Sequence, residues 1–196
     1  NLPAIVIYNF NGGAVPVDVR QFANFAFFEP ENGLTWLTNA PTLSVRGSIH
    51  VRGSSTQNLP KQSFSVEFWN EFNDDEDHSP LGLPAQSDWV LYAPNNFEPV
   101  LLHNPLAYQL SNEIGRYASR TRFVEVYLNT DGTSVSPANY NGIYVLEEKI
   151  KRDQNRVDVA KLDPEDIAVP DITGGYIMKV DRLDPGDNGF YAAGQG

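Results

Sequence analysis

Residues 87–128 constrain the fold most, because they read as strand, loop, amphipathic helix, loop, strand. Between about Glu98 and Tyr117 apolar residues recur as Leu102, Leu106, Leu110 and Ile114. That is helical spacing, and it predicts a helix over about 99–117 with this stripe packed on a sheet. Pro105 lies near the start, where a helix tolerates it best, and Gly115 weakens the last turn.

Strand patterns surround this unit. QSFSVEFW (62–69) alternates strictly, with Phe64, Val66 and Phe68 on one face and Ser63, Ser65 and Glu67 on the other. LPAIVIY (2–8), FANFAFF (22–28), LSVRGSIHV (43–51), SDWVLYA (87–93), TRFVEVYLN (121–129), GIYVLEEKI (142–150) and GGYIMKVD (174–181) read as further strands. The strands at 121–129 and 142–150 are expected to pair as a hairpin with a long loop. Many strands and one substantial helix give an α+β class: a mostly antiparallel twisted sheet with one main packed helix. At 196 residues, one domain over 1–196 is the expectation.

Composition excludes several functions. A net charge of −11 opposes nonspecific nucleic-acid binding and docking on an anionic membrane. No apolar run approaches the ~18 residues of a membrane span. With no cysteine, disulfides and Cys-ligated zinc are impossible. His50, His78 and His103 are isolated, no serine sits in a G-x-S-x-G frame, and no GxxxxGK[ST] occurs. The acidic run Asp74, Asp75, Glu76 and Asp77 lacks EF-hand spacing and reads as a solvated loop. Asp181, Asp184 and Asp187 read as a turn cluster or as oxygen ligands. The chain begins at Asn1, which suggests a processed protein or a piece of a longer one.

Three clusters carry candidate chemistry. In Arg52-Gly53-Ser54-Ser55-Thr56, followed by Pro60-Lys61-Gln62-Ser63-Phe64, a small-residue loop leaves N–H groups free to face an anion and a lysine can reach phosphate oxygens. The same residues also suit a polar turn and a surface lysine. Leu146-Glu147-Glu148-Lys149-Ile150-Lys151-Arg152 puts charge at a strand end, which also suits a solvated edge. Glu113 flanks the helical stripe and can reach inward or lie in solvent.

In their order and spacing these segments resemble the spore coat protein H (CotH) kinase-like family, secreted or surface bacterial proteins with an atypical protein-kinase fold. The resemblance covers the chain almost end to end and is strongest over 51–69, 81–128 and 141–181. It rests on the RG-[N/S]-S loop, the PK-K/Q-S-[YF] strand start, Asn104 before LAY, and an LMEKIKR-like run in which Glu148 and Lys149 match. Glu147 departs there from the usual apolar residue, and His103 from the usual arginine. The fold then implied is an atypical protein-kinase amino-terminal lobe.

The resemblance implies Lys61 as the nucleotide-binding lysine, with Arg52, Ser54 and Ser55 in the phosphate loop. Glu148 falls in an adenine-side segment of about Tyr144–Lys149 or pairs with Lys61, and Glu113 is the other candidate partner of that lysine. The cofactor implied is ATP with Mg²⁺ or Mn²⁺, and the reaction is transfer of the γ-phosphoryl to Ser or Thr of a coat or surface protein. The partners implied are nucleotide and an unidentified protein substrate, and the location is extracellular or on the bacterial cell surface. The family's catalytic Asn/Asp segment and its W-D-F-D metal motif are expected beyond Gly196, so the stretch 1–196 is expected to be inactive alone. A non-catalytic binding or assembly module of a large exported protein is the alternative.

Overall fold

The structure is a computed structural model and describes residues 1–178 except Asn96 and Pro99, together with Gly189. Among the described residues seven strands form: β1 (Ala4–Tyr8), β2 (Gln21–Phe28), β3 (Leu43–Arg52), β4 (Ser63–Phe68), β5 (Asp88–Tyr92), β6 (Thr121–Asn129) and β7 (Tyr140–Glu148). They close into a barrel in the order β1-β2-β3-β4-β5-β7-β6. Every neighbouring pair is antiparallel except β1 with β6, where Ala4 to Tyr8 run parallel to Glu125 to Asn129 and close the ring.

The interior follows from the period-2 pattern. Ile5, Ile7, Phe25, Phe27, Phe64, Val66, Phe68, Trp89, Leu91, Val124, Val126, Tyr144 and Leu146 fill it as one cluster. Each strand sends alternate side chains inward, so closure removes this whole set from water. Glycine is required at position 47, where a Cβ on β3 would lie 2.0 Å from the Glu67 carbonyl oxygen of β4. Ala4, Val6 and Phe28 form a smaller cluster on the barrel's outside, against Leu37 and Tyr127.

Two expectations are overturned. The molecule is mostly β, a closed seven-strand barrel, and not an α+β sheet resembling a kinase amino-terminal lobe. The physical reason is that the seven twisted strands bury their apolar faces on each other, so no sheet face is left open for a helix to cover. The helix expected over about 99–117 is α1, His103–Glu113, and Pro105 is its one buried residue among those described. Leu102, Leu106, Leu110 and Ile114 are 49%, 53%, 53% and 78% exposed. The outer strand face carries Ser63, Ser65 and Glu147 and offers the stripe little apolar surface. The expected strand at 174–181 is not formed over 174–178, and 179–181 lie outside the described residues, as do Asp181, Asp184 and Asp187.

Candidate functional site

Strand register places the site. Arg52 pairs with Ser63, Ser65 with Val90, and Val90 with Glu147. Paired residues share a face, so Arg52, Ser63, Ser65, Val90 and Glu147 all lie on the barrel's outer surface, away from the Phe64/Val66/Phe68 side. The segment 93–102 leads from β5 into α1 beside this surface. Between them lies a pocket of about 220 Å³, lined by Arg52, Gly53 and Thr56 at one side and by Val90, Tyr92, Phe97 and Glu147.

Each wall has a local cause. Gly53 has a φ of +112°, and a Cβ there would lie 2.2 Å from Thr56 Oγ1. Only glycine lets the loop after β3 turn this tightly. The Asn95 side chain donates to the carbonyl oxygens of Lys61 at 3.2 Å and Ala93 at 2.8 Å, which ties the segment after β5 to the start of β4. Ser63 Oγ accepts from the Ala93 N–H at 3.0 Å. Glu98 is 3% exposed and accepts from the Tyr92 hydroxyl and, at 2.9 Å, from the His103 N–H at the start of α1. A carboxylate there satisfies one of the helix's first N–H groups. Burial, and then the bond to Glu98, push the Tyr92 phenol above its ordinary value.

Glu147 is the anomaly of the pocket. It is 9% exposed, and its Oε1 is buried without a hydrogen-bond partner. Burial pushes its carboxyl up to about 7, with Arg52 opposing that rise and Glu98 adding to it. A buried, unsatisfied carboxyl in a cleft marks a candidate site, because the lone pairs cost free energy until something meets them.

The residues expected from sequence divide. Arg52 lines the pocket, while Ser54 and Ser55 are exposed in the same loop and outside its lining. The Lys61 ammonium donates to the Ile143 carbonyl oxygen and sits 4.6 Å from the centre of the Tyr144 ring, and burial lowers its pKa. Among the described residues no carboxylate lies within ion-pair reach of it, so the expected pairing with Glu113 or Glu148 is not made. Glu113 accepts from Gln109 at 2.9 Å one helical turn away and lies on α1 facing Arg120 and Arg122.

Glu148 is a buried anchor. Its side chain is 0% exposed, Arg120 meets it at 2.7 Å and Arg156 at 4.0 Å. The Arg120 N–H and the Tyr117 hydroxyl add bonds at 3.0 and 3.4 Å. Arg156 lies 4.9 Å from the Trp89 ring centre and donates to the Lys149 carbonyl oxygen at 2.7 Å. This network ties the end of β7 to 117–120 and 149–156. Burial, and then the Glu148 charge, push Tyr117 up to about 12.

Residues 49–194 match the family described as CotH kinase protein. The chain belongs to the CotH kinase protein family. A comparison with curated proteins finds no match. The matched range contains β4, β5, α1, β6, β7 and the whole pocket. CotH membership carries a kinase-like function and, in general, the use of a nucleotide and a divalent metal. Among the described residues no three His, Asp or Glu side chains converge to hold a metal ion, and no helix is long and apolar enough to cross a membrane. The pocket's donor set suits an anionic ligand at the Arg52 side and does not by itself make a metal site.

Sequence reading missed Tyr92, Asn95, Glu98 and Glu147. The available signal was at Glu147: within GIYVLEEKI the inward positions include Tyr144 and Leu146, so Glu147 alternates with them and points outward with Val145. No comparable signal marks Glu98, whose burial depends on how the segment after β5 folds back.

Proposed function

We propose that this chain forms the nucleotide-facing part of an atypical protein kinase, exported to the bacterial cell surface or beyond. The full protein moves the γ-phosphoryl of ATP to a Ser or Thr hydroxyl of a coat or surface protein, with Mg²⁺ or Mn²⁺. In that reaction the hydroxyl oxygen bonds to phosphorus, the bond from the β–γ bridging oxygen breaks, ADP leaves and the hydroxyl proton passes to a base. The observation that carries the reading is the Arg52-Gly53 turn at the side of the outer-face pocket. A guanidinium and the exposed turn of 53–56 offer charge-assisted donors to phosphate oxygens. Apolar and aromatic walls at Val90, Tyr92 and Phe97 suit a flat ring. The described residues do not assemble ligands for the metal.

The resemblance gives the phosphate role to Lys61, whereas the pocket presents Arg52, and ATP titration separates the two. Arg52→Met is expected to weaken ATP binding about tenfold or more, and Lys61→Met by less. Binding undiminished in the Arg52 variant, or no saturable ATP binding by the parent, overturns this reading. Residues 1–196 alone are expected to bind without phosphoryl transfer, and Mn²⁺-dependent incorporation of labelled phosphate by the purified chain would refute that part. The exposed stripe of α1 favours a second reading, a non-catalytic assembly module. Normal phosphoryl transfer by the longer protein excludes it.

A further inference from the structure

Helix α1 lies on the barrel with its polar side down. Among its described residues Pro105 is the one that is buried, Asn104, Tyr108, Ser111 and Asn112 are half-buried, and the leucines face water. Polar contacts at its two ends hold it. At the start, the Glu98 carboxylate accepts from the His103 N–H at 2.9 Å and from the Tyr92 hydroxyl of β5. At the end, the Asn112 side chain donates to the Ala118 carbonyl oxygen and accepts from the Ala118 N–H, both at 3.0 Å. Left-handed residues bracket the helix: Leu101 at φ +60° before it and Gly115 at φ +77° after it. A leucine at positive φ carries strain, and a segment with so little apolar burial opens at low cost.

Glu147 lies under this helix. It is 9% exposed, and its Oε1 is buried without a partner. Among the described residues Arg52 from β3 is the cation facing it, and Glu98 from the turn before α1 is a like charge. The phenols of Tyr92 on β5 and Tyr108 on α1 are neutral, and its register partners Val90 on β5 and Thr121 on β6 carry no charge. Burial, and then the Glu147 charge, push the Tyr108 phenol up, which places α1 close to that carboxyl.

We propose that α1 is a strap over the outer-face pocket, hinged at Leu101 and Gly115, that lets go when the Glu147 carboxyl beneath it becomes charged beside Glu98. The device requires no nucleotide and stands or falls apart from the reading above. Its direction follows from where the proton is held. In the closed form burial raises the carboxyl to about 7, and in water it ionises near 4.5. Between those values the open form binds fewer protons, so opening is favoured as pH rises and levels off above about 7. An 11-residue helix does not hold itself in water, so release also frays α1.

Amide hydrogen exchange at pH 5 and pH 7.5, expressed as protection factors, reads the opening in the parent and in Glu147→Gln. The reporters are the N–H groups of His103 and Leu106, with the amides of β4 as the barrel reference. In the parent the protection of α1 is expected to be well below that of β4 and to fall about tenfold or more from pH 5 to pH 7.5. In Glu147→Gln the fall is expected to be at least several-fold smaller. The His103 imidazole, 3.9 Å from Glu98, is present in both chains and cancels from their comparison. Thermal unfolding at both pH values checks that each chain is folded, and the parent's own change with pH carries the test should the variant not fold. Exchange of the α1 amides no faster than that of β4 means that the helix opens only with the whole chain, and overturns the strap. No fall in the parent, or an equal fall in parent and variant, overturns Glu147 as its trigger.

Discussion

The barrel and helix α1 both carry regular apolar patterns, and they treat them in opposite ways. In β4 the alternate residues Phe64, Val66 and Phe68 are 2%, 4% and 0% exposed. In and around α1 the stripe Leu102, Leu106, Leu110 and Ile114 is half-exposed or more. A strand's apolar face meets its neighbours' faces as soon as the sheet curls, because pairing and burial are the same event. A helix satisfies its own backbone, so its apolar face needs a separate partner surface. Within the described chain that surface is already taken up by barrel closure.

The largest effects are therefore expected inside the barrel. Phe68 contacts the rings of Phe25, Phe27, His78 and Trp89, and Phe68→Ala is expected to cost about 3–5 kcal/mol by urea unfolding. Glu148→Ala should cost a similar amount, roughly 3–5 kcal/mol, because it leaves Arg120 and the buried Arg156 without their carboxylate. A cost below about 1 kcal/mol for Glu148→Ala would mean that the network is not anchoring β7.

Glu147 comes next, at the boundary between barrel and helix. Its carboxyl keeps its proton up to about 7 in the folded chain and loses it near 4.5 when unfolded. Between those values the unfolded state binds fewer protons, so stability falls as pH rises, by roughly 2–3 kcal/mol across the window. Above about pH 7 this contribution is constant. The parent-minus-Glu147→Gln difference in unfolding free energy, followed from pH 4 to 8, should show that decline. A flat difference would place the Glu147 carboxyl in water.

The smallest effect is expected on the helix. Leu110→Ala should change stability by less than about 0.5 kcal/mol in the isolated chain. A cost of about 2–5 kcal/mol would show that the stripe is buried in solution after all, and would break the contrast between the two regions.

The strands were readable because period 2 is local. The patterns at 2–8, 22–28, 43–51, 62–69, 87–93, 121–129 and 142–150 coincide with β1 to β7 to within a few residues at their ends. Closure was not readable, since the parallel pairing of Ala4–Tyr8 with Glu125–Asn129 joins segments more than a hundred residues apart. Residues 174–178 illustrate the converse, a strand-like pattern that forms no strand among the described residues. Of the candidate site residues, Arg52 is in the pocket by virtue of its place at the end of β3. Lys61 lies two residues before Ser63, in step with the outward Ser63 and Ser65, yet its long stem swings to the Ile143 carbonyl oxygen and the Tyr144 ring. Rotamer choice at a flexible side chain depends on what lies across the sheet, and sequence spacing does not carry that.

The sequence by itself determined the strand faces, the start and end of the helical segment to within a turn or so, the lack of thiol chemistry and the CotH family. Tertiary structure alone decided that the sheet closes, that α1 keeps its leucines in water, that Glu148 is bound by two arginines, and that Glu147 is brought opposite Arg52. The division has one cause. Periodicity and composition are properties of neighbouring residues, whereas burial and the partners of a charge depend on which distant strand arrives alongside.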